Sequence, residues 1–97
     1  MLTLNPITRG ILNGRHQHYP TPNIEPRPVD TETADETAVR MLRAYHSICY
    51  LRLVDESGAE VREYHRYEFS HSGSPLWDVH RRVVDADIAE RLAARTA

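Results

Sequence analysis

The sequence predicts an α+β fold: an extended N-terminal arm, a helix, an antiparallel β-hairpin extended to a three-stranded meander, and a C-terminal helix. Three observations carry that prediction. Five of the six prolines fall within the first 30 residues. A helix-start signature then precedes an apolar stripe at helical spacing. Two segments rich in β-branched and aromatic residues follow, on either side of a short loop containing Gly58.

Residues 1–30 read as a proline-rich arm. Pro20, Pro22, Pro26 and Pro28 lack an N–H and bias their predecessors to extended geometry, which excludes a helix or central strand through Tyr19 to Val29. Leu2, Leu4, Ile7, Ile11, Leu12, Tyr19 and Ile24 are apolar anchors that a solvated linker would lack. Residues 31–97 read as the small α+β domain. Thr33 with Glu36 fits a capping box, and Ala38, Met41, Leu42 and Tyr45 recur at i, i+3, i+4, i+7, predicting a helix over 33–46. Ile48–Val54 and Val61–Phe69 read as a hairpin around Asp55–Ala59, in a register that sets Arg52 against Glu63, Tyr50 against His65 and Ile48 against Tyr67. Leu76–Val84 alternates as a third strand, with a helix capped at Ser74 and begun at Pro75 as the alternative. Asp85 or Asp87 caps the final helix, whose apolar face is Ile88, Ala89 and Leu92.

Ninety-seven residues limit the chain to one core. A formal net charge of −2 argues against a general polyanion binder. All twelve basic residues other than histidine are arginine, a bias that codon usage explains and that also suits carboxylate, phosphate or protein partners. A lone cysteine, Cys49, forms no internal disulfide. With no signal-like or membrane-spanning run, that predicts a cytoplasmic protein outside any membrane.

Six histidines invite a metal reading, with His16 and His18 as one pair and Asp78 and His80 as another. Neither pair contains the thiolates usual in structural zinc sites, so no metal ligand is assigned. His65, His71, His80, Asp78 and Glu68 are the available acid–base groups, but no nucleophile, oxyanion donor or cofactor motif accompanies them. The expectation is therefore no enzyme, no catalytic residue and no cofactor. The element order is similar to that of double-stranded-RNA-binding domains, in topology alone. Where that family carries a basic cluster, this chain has Asp85, Asp87 and Glu90.

Two short helices cannot cover both faces of the hairpin, so an exposed set of Tyr, Arg and Trp is expected, the composition of interface anchors. Trp77, Tyr64, Arg66, Arg62, Tyr19 and Ile24 are the candidate partner-binding residues. The leading expectation is a non-catalytic module that binds a larger protein or complex as inhibitor, adaptor or assembly factor. Small phage or mobile-element inhibitors of host machinery (anti-CRISPR-like proteins) are its type. The alternatives are a virion or assembly component that uses its arm, with a second copy as partner, and a single-stranded or double-stranded nucleic-acid binder.

Overall fold

A computed structural model describes residues 1–96. The first 30 residues form three strands: β1 (Leu2–Leu12), β2 (Arg15–Pro20) and β3 (Arg27–Val29). The chain continues through α1 (Ala34–Ala44), β4 (Tyr50–Val54), β5 (Glu60–Tyr64), a 3₁₀ turn at Arg66–Phe69, and α2 (Trp77–Thr96). The α+β class holds, with two helices and one five-stranded antiparallel sheet in the order β2-β1-β4-β5 and β3 beside β1.

The arm expected over residues 1–30 is thus corrected to the heart of the sheet. Asn13 and Gly14 (φ 52° and 76°) make a two-residue turn with both positions left-handed, which joins β1 to β2. Leu12 pairs with Arg15, and the ladder runs back to Ile7 opposite Pro20. Pro6 is tolerated in a central strand for a positional reason. Its carbonyl accepts from Thr21 N–H on the β2 side, at the break between the β3 pairing, which ends at Leu4, and the β2 pairing, which begins at Ile7. The missing N–H therefore faces a gap in the ladder and costs no strand hydrogen bond.

The second correction concerns Leu76–Val84. It is no strand but the start of α2, in which the expected third strand and the final helix merge. Main-chain hydrogen bonds from Trp77 to Ser74 and from His80 to Leu76 start the helix just after Pro75. Alternation in LWDVHRRVV mimics a strand, but Leu76, Val79, His80 and Val83 equally form a 3.6-period face. Leu76 and Val83 lie in the core, with Val79 against them.

The β4–β5 hairpin forms, with Arg52 opposite Glu63 as expected. A register shift after Leu53 sets Val54 against Glu60, and β5 stops at Tyr64, so Ile48 and Tyr67 never pair. Thr33 does precede α1 but makes no side-chain cap to it. Its hydroxyl accepts from the N–H of Asp30 instead. Reciprocal capping occurs at the 3₁₀ turn, where Glu68 accepts from the His65 N–H.

One core unites all of this. Leu4 and Val29, Ala38, Val39, Met41 and Leu42 of α1, Leu51, Leu53 and Tyr64 of the sheet, and Val83 of α2 pack together. Both helices lie on the Leu51, Leu53 and Tyr64 side of the sheet, and the opposite side carries no helix among the described residues.

Candidate functional site on the open sheet face

Directly opposed residues of an antiparallel ladder share a face. The pairs Ile7–Tyr50, Asn5–Arg52, Arg9–His18 and Arg52–Glu63 therefore define the face away from the helices. Tyr50 is its centre. Its ring stacks on His65 with centroids 5.2 Å apart, His65 stacks on Tyr67 at 5.3 Å, and His18 meets Tyr50 edge-on at 5.6 Å. The guanidinium groups of Arg9 and Arg52 stand 5.8 and 5.9 Å from the Tyr50 ring centroid.

Hydrogen bonds hold this stripe in place. Arg52 Nη2 donates to the Tyr50 hydroxyl at 3.1 Å, and that hydroxyl shares a hydrogen bond of 2.9 Å with His18 Nδ1. Arg52 Nε donates to Glu60 at 3.0 Å, and His65 Nε2 lies 3.0 Å from a Glu63 oxygen. The hydrogen bond to His65 holds the Glu63 carboxyl below the usual carboxylate range. Beside the stripe, Pro6, Ile7, Pro20, Ile24, Pro26 and Arg52 line an apolar hollow of about 250 Å³. Tyr67, at 69% exposure, is the most open ring of the stripe.

The six residues expected at a partner surface are scattered. Tyr64 faces the helices and is 1% exposed, with its hydroxyl donating to Asp35 at 2.5 Å. Burial, reinforced by Asp35, pushes that hydroxyl well above its ordinary value. Arg62 covers the Tyr64 ring at 4.1 Å and pairs with Glu68 at 2.7 Å and Asp35 at 3.6 Å. Arg66 turns inward and donates to the carbonyls of Leu42, Tyr45 and Ile48. Trp77 is half-buried at the start of α2, with its ring 5.5 Å from His80. Tyr19 packs across Gly10, where an added Cβ would lie 2.8 Å from the tyrosine oxygen. Ile24 lines the hollow and packs against the core. The structure brings Arg62 and Tyr64 together, but on the helix side, and leaves Trp77, Tyr19 and Ile24 apart.

Sequence reasoning passed over Arg9, His18, Tyr50, Arg52, His65 and Tyr67 as a group. The signal for two of them was present, because Asn13-Gly14 marks a hairpin that sets Arg9 beside His18. Cys49 is half-buried, and its thiol accepts the Arg9 N–H at 3.3 Å. Among the described residues no three His, Cys, Asp or Glu side chains converge as metal ligands, and no helix is long and apolar enough to cross a membrane.

The architecture defines the class: a two-helix α+β protein with one face of its sheet uncovered. No family model matches the chain, and no curated protein or solved structure matches it.

Proposed function

We propose that this chain is a non-catalytic protein-recognition domain that engages a larger protein or complex through the uncovered face of its sheet. The observation that carries this reading is the stripe of His18, Tyr50, His65 and Tyr67 flanked by Arg9 and Arg52. Aromatic rings and arginines at the centre of a rigid surface are the usual anchors of protein interfaces. Glu60 and Glu63 sit among them and balance the cations, which suits a mixed protein surface better than a phosphate backbone.

The experiment is affinity purification from the native cell with the wild type and with a Tyr67→Ala, Arg9→Glu double variant of unchanged circular dichroism. Both side chains are exposed, so the fold tolerates their replacement. Specific partners are expected to disappear with the variant. An identical partner set from both proteins defeats the reading.

A second reading rests on the same stacked rings. His65 and the exposed Tyr67, stacked over a buried Tyr50 and near two guanidinium groups, form a platform of the kind on which single-stranded bases stack. A labelled single-stranded oligonucleotide titrated at rising salt separates the two. Nucleic-acid binding requires an affinity that falls steeply with salt, whereas protein recognition predicts no binding in that assay.

A further inference from the structure

All fourteen carboxylate side chains of this sequence follow residue 24, and Arg9, Arg15, His16 and His18 all precede it. The β1–β2 hairpin is therefore an acid-free, cationic element on a chain whose remaining ten arginines are outnumbered by its acids. β2 is also the last strand of the order β2-β1-β4-β5, and β3 pairs with β1 rather than with β2. No strand lies beyond it among the described residues.

The direction of the main-chain groups follows from three hydrogen bonds. Arg9 N–H reaches the Cys49 thiol, Cys49 N–H reaches the Ile7 carbonyl, and Thr21 N–H reaches the Pro6 carbonyl. Odd residues of β1 thus point toward β4, and even residues point toward β2. Thr8, Gly10 and Leu12 bond β2 through their partners Tyr19, Gln17 and Arg15. Alternation then turns the N–H and C=O of His16 and His18 outward, from a strand whose residues Arg15, His16, His18 and Pro20 are exposed. Arg15 on this edge repels a like-charged strand but accepts an acidic one, the imidazoles of His16 and His18 offer polar partners to it, and Pro20 blunts only the last position.

We propose that the outer edge of β2 takes up an extended acidic segment of a protein partner as an added strand. Main-chain hydrogen bonds to His16 and His18 seat the segment, and its carboxylates meet Arg15 on one face of the sheet or the His16 and His18 rings on the other. This proposal rests on the protein-recognition reading and names the chemistry of the partner. A second copy is less suited to the edge, because the acids on β5, Glu60 and Glu63, are already held by Arg52 and His65.

The test uses the full chain and a fluorescein-labelled peptide of about eight residues that alternates valine with glutamate, with a valine–lysine peptide as control. Fluorescence anisotropy is expected to show the glutamate peptide binding at least about tenfold more tightly. His16→Pro removes an outward N–H while sparing the ladder to β1, and is expected to weaken binding by about tenfold where His16→Ala does so by less than about threefold. Ile11→Pro, on the opposite edge of the hairpin, and Tyr67→Ala, on the open face, are expected to leave it unchanged. Circular dichroism of each variant reports the fold. Equal affinity for the two peptides, no binding of either, or a loss caused by Ile11→Pro or Tyr67→Ala but not by His16→Pro overturns the proposal. So does self-association of the chain that His16→Pro abolishes, since the edge then belongs to a second copy. If the edge fails while the Tyr67→Ala, Arg9→Glu variant still loses its cellular partners, the protein-recognition reading survives alone.

Discussion

Arg66 donates to the carbonyl of Leu42 in the last turn of α1, to that of Tyr45 just past it, which also accepts from the Ile48 N–H, and to that of Ile48. A guanidinium fork there satisfies orphan carbonyls and complements the negative end of the helix. Arg66→Ala is expected to destabilise the fold by about 2–3 kcal/mol in urea unfolding, with Arg81→Ala, an exposed position on α2, within about 0.5 kcal/mol of wild type. His80 presents the opposite case. Its ring stacks on Phe69 at 5.1 Å, and its buried Nδ1 has no hydrogen-bond partner among the described residues. Burial, aided by Arg43, holds the imidazole below its ordinary value. The folded state therefore binds that proton more weakly than the unfolded chain. Its contribution to stability is intact above the unfolded value of 6.5 and is lost as pH falls through the lower folded value. His80→Phe is expected to flatten this acid-side decline in thermal midpoints recorded from pH 7 to pH 5, and an unchanged slope excludes His80 as its source.

At the scale of elements, the β1–β2 hairpin hangs on its turn. Gly14 at φ 76° occupies backbone space that an L side chain adopts with strain, although an added Cβ there meets nothing within 4 Å. Gly14→Ala is therefore expected to cost about 1 kcal/mol through the backbone alone, read as a lower thermal midpoint with the near-ultraviolet spectrum unchanged. A change in that spectrum would mean that the turn had reorganised. α2 shows how one segment satisfies two periods. Its first half buries Val83 against the core beside Leu76, which immediately precedes it, whereas Ile88 and Leu92 in its second half remain 51% and 55% exposed. Arg40, 3.2 Å from Asp87, ties that second half to α1.

The whole molecule measures 50 × 30 × 29 Å and has a single core to which its first 30 residues are essential. Leu4 is fully buried, and Ile7 and Val29 nearly so. Each such side chain contributes roughly 1.5–3 kcal/mol by burial, so losing Leu4 and Ile7 together removes much of the stability of an ordinary domain. Deleting residues 1–28 also strips β4 of its partner strand from Thr3–Val54 to Ile7–Tyr50. The truncated chain is expected to show no cooperative thermal transition, and a folded, cooperative fragment would contradict the central place of β1. An assembly role built on a detachable arm loses its premise with this geometry.

The sequence by itself determined the class of fold, the position of α1, the β4–β5 hairpin with Arg52 across from Glu63, and the uncovered sheet face that two helices had to leave. These are local or near-local properties, carried by period, turn residues and the pleat. Tertiary structure alone decided the rest. Whether Leu4 and Ile7 anchor an arm or build a strand depends on pairing with Leu53 and Tyr50, more than 40 residues away. Whether Leu76–Val84 alternates or coils depends on which face meets the core, and a short apolar run supports both periods. Which face of the hairpin met the helices was invisible in the sequence, and Ile48 and Phe69, just outside the paired strands, joined the core beside Leu51, Leu53 and Tyr64. Tyr50 and Tyr64 exchange roles with that choice: Tyr64 goes under α1 and bonds Asp35, and Tyr50 centres the open face.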